Sequence, residues 1–253
     1  MLKKSLYILL LFVLPLFGFG KDAAHILFEQ GNAQYSKAKY TDAIQSYQKI
    51  LGEGYLSEAV YFNLGNAYYK SGDIPSALLY FEKARKLAPG DEDINFNIQF
   101  TNLKTTDKVE DAPQFFLINW WHSFILSFSA GTLSVLSVLF IISGFGLLGF
   151  YLYATTLTLK KAAFYAGIAL IFLGLMSVFI AVTQTNYFAA HHQAIVFGTS
   201  VTTKSSPDSG AKNLFVIHDG TKVDIIENNN GWLKIRLSNG NEGWISMADA
   251  KEI

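Results

Sequence analysis

The chain has 253 residues, 51% of them hydrophobic and 16% charged, a balance richer in apolar surface than that of an ordinary soluble domain. Lysine plus arginine equals aspartate plus glutamate, 20 against 20, so no basic field argues for a nucleic-acid partner. Cysteine is absent, which excludes disulfides, thiolate metal sites, a cysteine nucleophile and a lipidated cysteine anchor, and leaves the redox compartment open.

Residues 1–20 carry Lys3 and Lys4, an apolar run from Leu6 to Phe17, and Gly18 and Gly20 at small-residue positions before Lys21. This pattern predicts a secretory signal peptide cleaved after Gly20, with an uncleaved anchor helix as the other form. Either form exports the segment after it.

From Ala24 a repeat of period 34 begins: Leu27 matches Tyr61, Phe28 Phe62, Gly31-Asn32 Gly65-Asn66, Tyr35 Tyr69, Ala43 Ala77 and Tyr47 Phe81. Self-similarity of this kind marks a stacked helical array. The second unit, with Tyr61, Leu64, Gly65, Tyr68, Gly72, Ala77, Phe81, Ala84 and Pro89, resembles the tetratricopeptide repeat at nearly every signature position. The first unit is looser, with Gln30, Gln34, Ala38 and Ile50 in signature places. A further helix is expected from Asp91 to Lys104, its acidic first turn favouring the helix dipole. Two repeats fall below the usual three, so this helix or a partner must cap the stack. The repeat domain is therefore expected over 21–104.

Phe28, Asn32 and Tyr35 share one helix face; Phe62, Asn66 and Tyr69 repeat it, and Phe96 continues the phenylalanine column. In tetratricopeptide repeats this face lines a concave peptide groove, and the resemblance gives Asn32 and Asn66 the role of holding a ligand's main chain. Phenylalanines stand where members that clamp a carboxylate carry basic residues, so the expected ligand is an apolar or aromatic segment. Packing of these phenylalanines on the capping helix or the membrane is the other reading.

Residues 105–129 are expected to form a polar linker followed by an aromatic stretch, Phe115 to Ser129, with Trp120 and Trp121. Tryptophan favours the headgroup level, so this stretch reads as an interfacial helix or as the start of the first span. A transmembrane hairpin is expected over 130–183, with spans at about 133–153 and 162–182, each long enough for the roughly 30 Å hydrocarbon core. The loop between them, 154–161, holds Lys160 and Lys161, which by the positive-inside rule places it in the cytoplasm. Small residues recur at spacings of three and four, Ala130, Ser134, Ser137 and Gly144 in one span and Ala163, Gly167, Gly174, Ser177 and Ala181 in the other, and predict a close helix seam within the hairpin, a partner site being the other reading. Gly144, Gly146 and Gly149 spell a dinucleotide fingerprint but have no βαβ surroundings.

Residues 191–253 switch to strand chemistry, with five β-rich runs (194–197, 214–217, 222–227, 232–237 and 242–246) and turn pairs at Asp219-Gly220, Asn230-Gly231 and Asn239-Gly240. The order of residues, with Gly220-Thr221, Trp232 and Gly243-Trp244, resembles the bacterial Src-homology-3-like domain, an all-β small barrel. Trp232 and Trp244 are its candidate contact residues, a core role for Trp244 being equally open. Binding of cell-wall peptides is what some relatives imply.

No metal or cofactor site is expected: His191 and His192 lack a third ligand, and no nucleophile elbow, phosphate loop or zinc helix is present. The expectation is a multidomain membrane protein, an all-α repeat array, a transmembrane α-hairpin and a barrel, with both soluble parts on the periplasmic side of the cytoplasmic membrane. That order of modules resembles the BatE-type proteins of the aerotolerance operon. The resemblance implies a membrane-bound assembly with von Willebrand factor A-type proteins and a MoxR-type ATPase in stress tolerance. The function expected is a non-enzymatic scaffold that recruits protein partners; the alternative is an envelope anchor or sensor whose barrel binds peptidoglycan.

Overall fold

The computed structural model describes residues 22–109 and 115–253; the expected signal segment 1–20, with Lys3 and Lys4, lies outside them. Five helices come first: α1 (Asp22–Ser36), α2 (Tyr40–Gly52), α3 (Glu58–Ser71), α4 (Ile74–Leu87) and α5 (Glu92–Asn102). Local chemistry sets their ends. Asp73 accepts from the Ser76 amide at 3.0 Å, with Pro75 in the first turn of α4, and Asp91 accepts from the Ile94 amide at 2.9 Å to start α5. Gly72, at φ +89°, closes α3 in the left-handed conformation that a glycine adopts without strain.

Each helix pair closes over a glycine facing a ring. A Cβ on Gly31 would fall 2.5 Å from the Tyr47 ring, and one on Gly65 2.6 Å from the Phe81 ring. The cores of the two units are equivalent, Ala43, Tyr47, Ile50 and Leu64 in one and Ala77, Phe81, Ala84, Ile94 and Ile98 in the other. Helix α5 stands where a third unit would begin. It buries Ile94, Ile98 and Thr101 against the preceding pair, yet carries Asn95, Gln99 and Asn102 where Tyr61, Gly65 and Tyr68 face α4 in the second unit. A polar outer face of this kind ends a repeat array.

Helix α6 (Phe116–Ile125) precedes two long apolar helices, α7 (Ala130–Tyr153) and α8 (Leu157–Ala190), both long and apolar enough to cross a membrane. Only 17% and 22% of their most apolar 18-residue stretches is buried in the molecule, unlike the core helices of a soluble protein. They pack antiparallel along the small residues: Gly144 lies against the Gly167 carbonyl and Ile171, and Gly174 against Ile141 and the Ser137 carbonyl. The connecting loop is shorter than 154–161. Thr156 caps the Leu159 amide at 3.4 Å and begins α8 at Leu157, so Lys160 and Lys161 sit in its first two turns rather than in a loop. At the other end Gln184, 1% exposed, donates from Nε2 to the carbonyls of Ile125 and Phe128, both at 2.8 Å, clasping the end of α6 to α8.

The last unit is a seven-stranded antiparallel sheet in the order β3-β2-β6-β5-β4-β1-β7, with β1 (Gln193–Val196), β2 (Ser200–Lys204), β3 (Asn213–His218), β4 (Lys222–Asn229), β5 (Trp232–Arg236), β6 (Glu242–Ser246) and β7 (Ala250–Glu252). Its core is Ala194, Val196, Val201, Ile217, Val223, Leu233, Ile235, Leu237 and Ile245. Asn230 and Gly231, at φ +47° and +84°, form the two-residue turn between β4 and β5. Two strands exceed the five expected. β2 reads SVTTK and β7 is three residues long, so neither offers an apolar alternation to the sequence; both are held by pairing to β3, β6 and β1.

The glycine-on-ring packing is directly testable. Gly65→Ala is expected to destabilise the repeat array by about 1–3 kcal/mol, since the added methyl has no space against Phe81. Gly52→Ala, with nothing within 4 Å, is the matched control, and chemical denaturation of the two variants side by side measures the difference.

Candidate functional site

Two sites emerge from the packing: a groove on the repeats and a junction between the repeats and the barrel. In the groove, Asn32 Oδ1 accepts from the Tyr47 hydroxyl at 2.8 Å and from Asn63 Nδ2 at 3.0 Å. One unit on, Asn66 Oδ1 accepts from Asn97 Nδ2 at 3.2 Å. The amide ladder links each first helix to the next. With both Oδ1 atoms engaged, the Nδ2 groups of Asn32 and Asn66 have no partner among the described residues and remain as donors. A cavity of about 290 Å³ is lined by Asn32, Tyr35, Tyr47, Asn63 and Asn66. Burial pushes the Tyr47 phenol up to about 12, so it stays a protonated donor to Asn32.

Beside the amides runs a series of rings. Tyr69 meets Phe100 at 5.7 Å between centroids, and Phe100 stacks on Phe96 at 5.9 Å. Phe96 is 63% exposed. Helix α5 thus turns polar where it would face a next helix, but stays aromatic on the face shared with Phe28 and Phe62. Those two take a different part: Phe28 tilts on Tyr47 at 6.0 Å and Phe62 on Phe81 at 5.8 Å, half-buried within their own units. Of the residues singled out by sequence, Asn32, Tyr35 and Asn66 line the cavity, Tyr69 and Phe96 belong to the ring series, and Phe28 and Phe62 are spent on packing. Asn63 and Asn97 escape the sequence reading because they fall outside the signature positions, although their separation of one repeat, 34 residues, marks them as equivalent.

The junction is not legible in the sequence at all. Residues 105–109 read as part of a linker because they are polar and aperiodic. In the structure Asp107 accepts from the His218 amide at 2.7 Å and the Thr221 hydroxyl at 2.7 Å, and lies 2.8 Å from His218 Nδ1. Val109 packs on the barrel core, and Lys108 Nζ donates to the carbonyls of Asn102, the last residue of α5, and Thr105, at 2.6 and 2.9 Å. Above it Leu78 and Leu79 of α4 pack on Ile195 of β1, with Phe197 and Ile253 alongside. Glu82, 4% exposed, pairs with Arg85 at 2.6 Å and with Lys222 at 3.1 Å. Burial holds the Lys222 ammonium below the ordinary lysine range, although Glu82 opposes that shift.

In the barrel Trp244 is 9% exposed and sits on the face opposite Ile245, between Lys204 and Lys234 on the neighbouring strands. Trp232 is half-buried, opposite Ser246. The two tryptophans share a sheet face. Among the described residues no group of three or more His, Asp or Glu is placed to hold a metal ion.

The tetratricopeptide repeat family model matches residues 21–89, and the bacterial SH3 domain family model matches residues 203–251. The chain therefore carries tetratricopeptide repeats and a bacterial SH3 domain. Both matches stop short of the physical units, since α5 caps the first and β1 completes the second. No curated protein matches the chain. Among solved structures it is similar to the C-terminal SH3 domain of myosin IB from Entamoeba histolytica, at 27% identity over 25% of this chain and 93% of that one, with a TM-score of 0.18. It is also similar to a TPR repeats protein from Bacteroides fragilis, at 14% identity over 67% of this chain and 79% of that one, with a TM-score of 0.30.

Asp107 supplies a pH test. Burial alone would raise its carboxyl, but the Thr221 hydroxyl and the His218 amide and imidazole outweigh it and hold the carboxyl below its ordinary value of 3.8. Between the folded value and 3.8 the unfolded chain binds more protons, so stability rises with pH there. The contribution is complete above 3.8 and is lost as pH falls through the folded value. Thermal unfolding of the wild type and Asp107→Asn across that range is expected to differ at neutral pH and to converge in acid.

Proposed function

We propose that the protein is a non-enzymatic, membrane-anchored scaffold whose repeat groove recruits an apolar or aromatic segment of a protein partner. The observation that carries this reading is the pairing of spare amide donors on Asn32 and Asn66 with the exposed rings of Phe96 and Phe100 on the same face. Amides suit a ligand's main chain, and rings suit its side chains. The two domain families support an interaction role, and the paired apolar helices support an anchor. On the resemblance to BatE-type proteins, the partners are von Willebrand factor A-type proteins and a MoxR-type ATPase system in an aerotolerance or stress-response complex. Both soluble units work on the outer side of the cytoplasmic membrane, with Lys160 and Lys161 inside.

An envelope anchor that grips peptidoglycan through Trp232 and Trp244 is the weaker reading. Trp244 is only 9% exposed, which leaves little of its ring for a ligand.

Crosslinking in intact membranes tests the groove. Asn32→Ala with Asn66→Ala is expected to remove at least one crosslinked partner; because alanine also deletes the Oδ1 acceptors of the Tyr47 hydroxyl and the Asn63 and Asn97 amides, Asn32→Asp with Asn66→Asp, which keeps those acceptors and deletes only the Nδ2 donors, is expected to remove the same partner. A partner list unchanged by the double substitution sinks the assignment. Orientation has a separate test in this cysteine-free chain. Asn239→Cys, in an exposed turn of the barrel, is expected to react in intact cells with a thiol reagent that cannot cross the cytoplasmic membrane; reaction only after lysis overturns the topology.

A further inference from the structure

Helix α6 has three sectors. At about 100° per residue, Trp121 and Ile125 fall on one side, with Ile118, 48% exposed, at its edge; Asn119, His122 and Ser123 fall on a second, and Phe116, Leu117, Trp120 and Phe124 on a third. The first sector is docked: Ile125 is buried with Leu133 and Ile180, Trp121 packs beside them, and Gln184 clasps the helix end. The second is polar: Asn119 is exposed, His122 tilts on the Tyr187 ring of α8 at 4.9 Å, and Ser123 lines a cavity of about 550 Å³ shared with Arg85, Glu92 and Asn95 of the repeats. The third is bare, with Phe116 67% and Trp120 64% exposed.

Charge and position say what covers it. From Phe115 to Ser129 there is no lysine, arginine, aspartate or glutamate. The docked side rests on the residues of α7 and α8 where those helices leave their apolar stretch, so the bare arc continues the exposed apolar belt of the hairpin. Ser123 of the polar sector faces the cavity shared with the repeats. A helix divided in this way, with an indole among the apolar residues of one side and polar residues on another, fits the boundary of a bilayer.

We propose that Phe116, Leu117, Trp120 and Phe124 are seated in the headgroup and upper acyl region of the lipid leaflet beside the repeats and barrel. α6 is then a lateral membrane contact, additional to the two spans. The inference rests on reading α7 and α8 as membrane spans, and the experiment separates the two.

The full chain carrying Trp121→Phe, Trp232→Phe and Trp244→Phe, so that Trp120 is the only tryptophan, is placed in phosphatidylcholine vesicles brominated high or low on the acyl chain. Loss of most Trp120 emission in the first lipid, and less in the second, is expected. Emission equal in brominated and plain lipid overturns the proposal. Shielding that appears only as protein is concentrated in the bilayer also overturns it, because the occupant is then a second copy. Leu117→Cys bearing a nitroxide gives an independent depth reading in the chain with its tryptophans intact. Collision with oxygen should exceed collision with a water-soluble nickel chelate, and the reverse overturns the proposal. Alkaline carbonate extraction of the wild-type chain reports on the spans alone: release from vesicles sinks the span reading, while retention with unquenched Trp120 sinks only the lateral contact.

Discussion

Helix α4 is buried on two sides, and the rest of the molecule is arranged by that fact. Ala77, Phe81 and Ala84 close the second repeat on one side; Leu78, Leu79 and Glu82 meet the barrel on the other. The apolar contact supplies adhesion but little direction, because the hydrophobic effect is non-directional. The Glu82 to Lys222 pair supplies the direction. A buried ion pair adds little net stability over an apolar replacement, but separating its members leaves an uncompensated charge. Any shift of the barrel along α4 separates them, so the pair selects one docking position. Asp107, reaching His218 and Thr221 from beyond α5, fixes a second point. With two points held, the barrel cannot rotate about α4.

The same logic extends to the apolar helices. Gly90 lies directly against the Ser127 carbonyl, with no room for a side chain, at the turn between α6 and α7. Gln184 satisfies two carbonyls at that turn, and leaving them unpaired in an apolar surrounding costs about 1–3 kcal/mol each. Repeats, hairpin and barrel therefore meet at one place, built from Gly90, Arg85, Tyr187 and Gln193 around a shared cavity. A partner seated in the groove bears on a body tied to the hairpin, rather than on a domain tethered by a loose strand.

How much of this is legible in the sequence depends on how far apart the cooperating residues are. The repeats, the seam glycines and the turn at Asn230-Gly231 announce themselves because their partners are close in sequence or recur at a fixed period. The strand SVTTK is silent because its pairing comes from β3 and β6 rather than from its own pattern. Asp107 to His218 spans 111 residues, and no composition of either segment marks them as partners. The groove is half legible for the same reason: Asn32 and Asn66 keep to the repeat, but the diversion of Phe28 and Phe62 into packing depends on where the rings of Tyr47 and Phe81 fall.

The count of repeats poses a physical problem that the docking resolves. In stacked arrays each unit is stabilised by its neighbours, and two units share only one interface, too few for an isolated array. Helix α5 adds a second interface and ends it with Asn95, Gln99 and Asn102. The barrel adds a third, on the flank of α4, where it covers Leu78 and Leu79 with Ile195. It therefore takes part of the work of a missing repeat while leaving the face of Asn32, Asn66 and Phe96 open. Had a third helical pair been added instead, its second helix would have to approach Gln99, whose side chain occupies the space that Gly31 and Gly65 leave for a ring. Closure by the barrel is thus the arrangement that lets α5 keep its rings exposed, and it makes the stability of the groove depend on the barrel being folded.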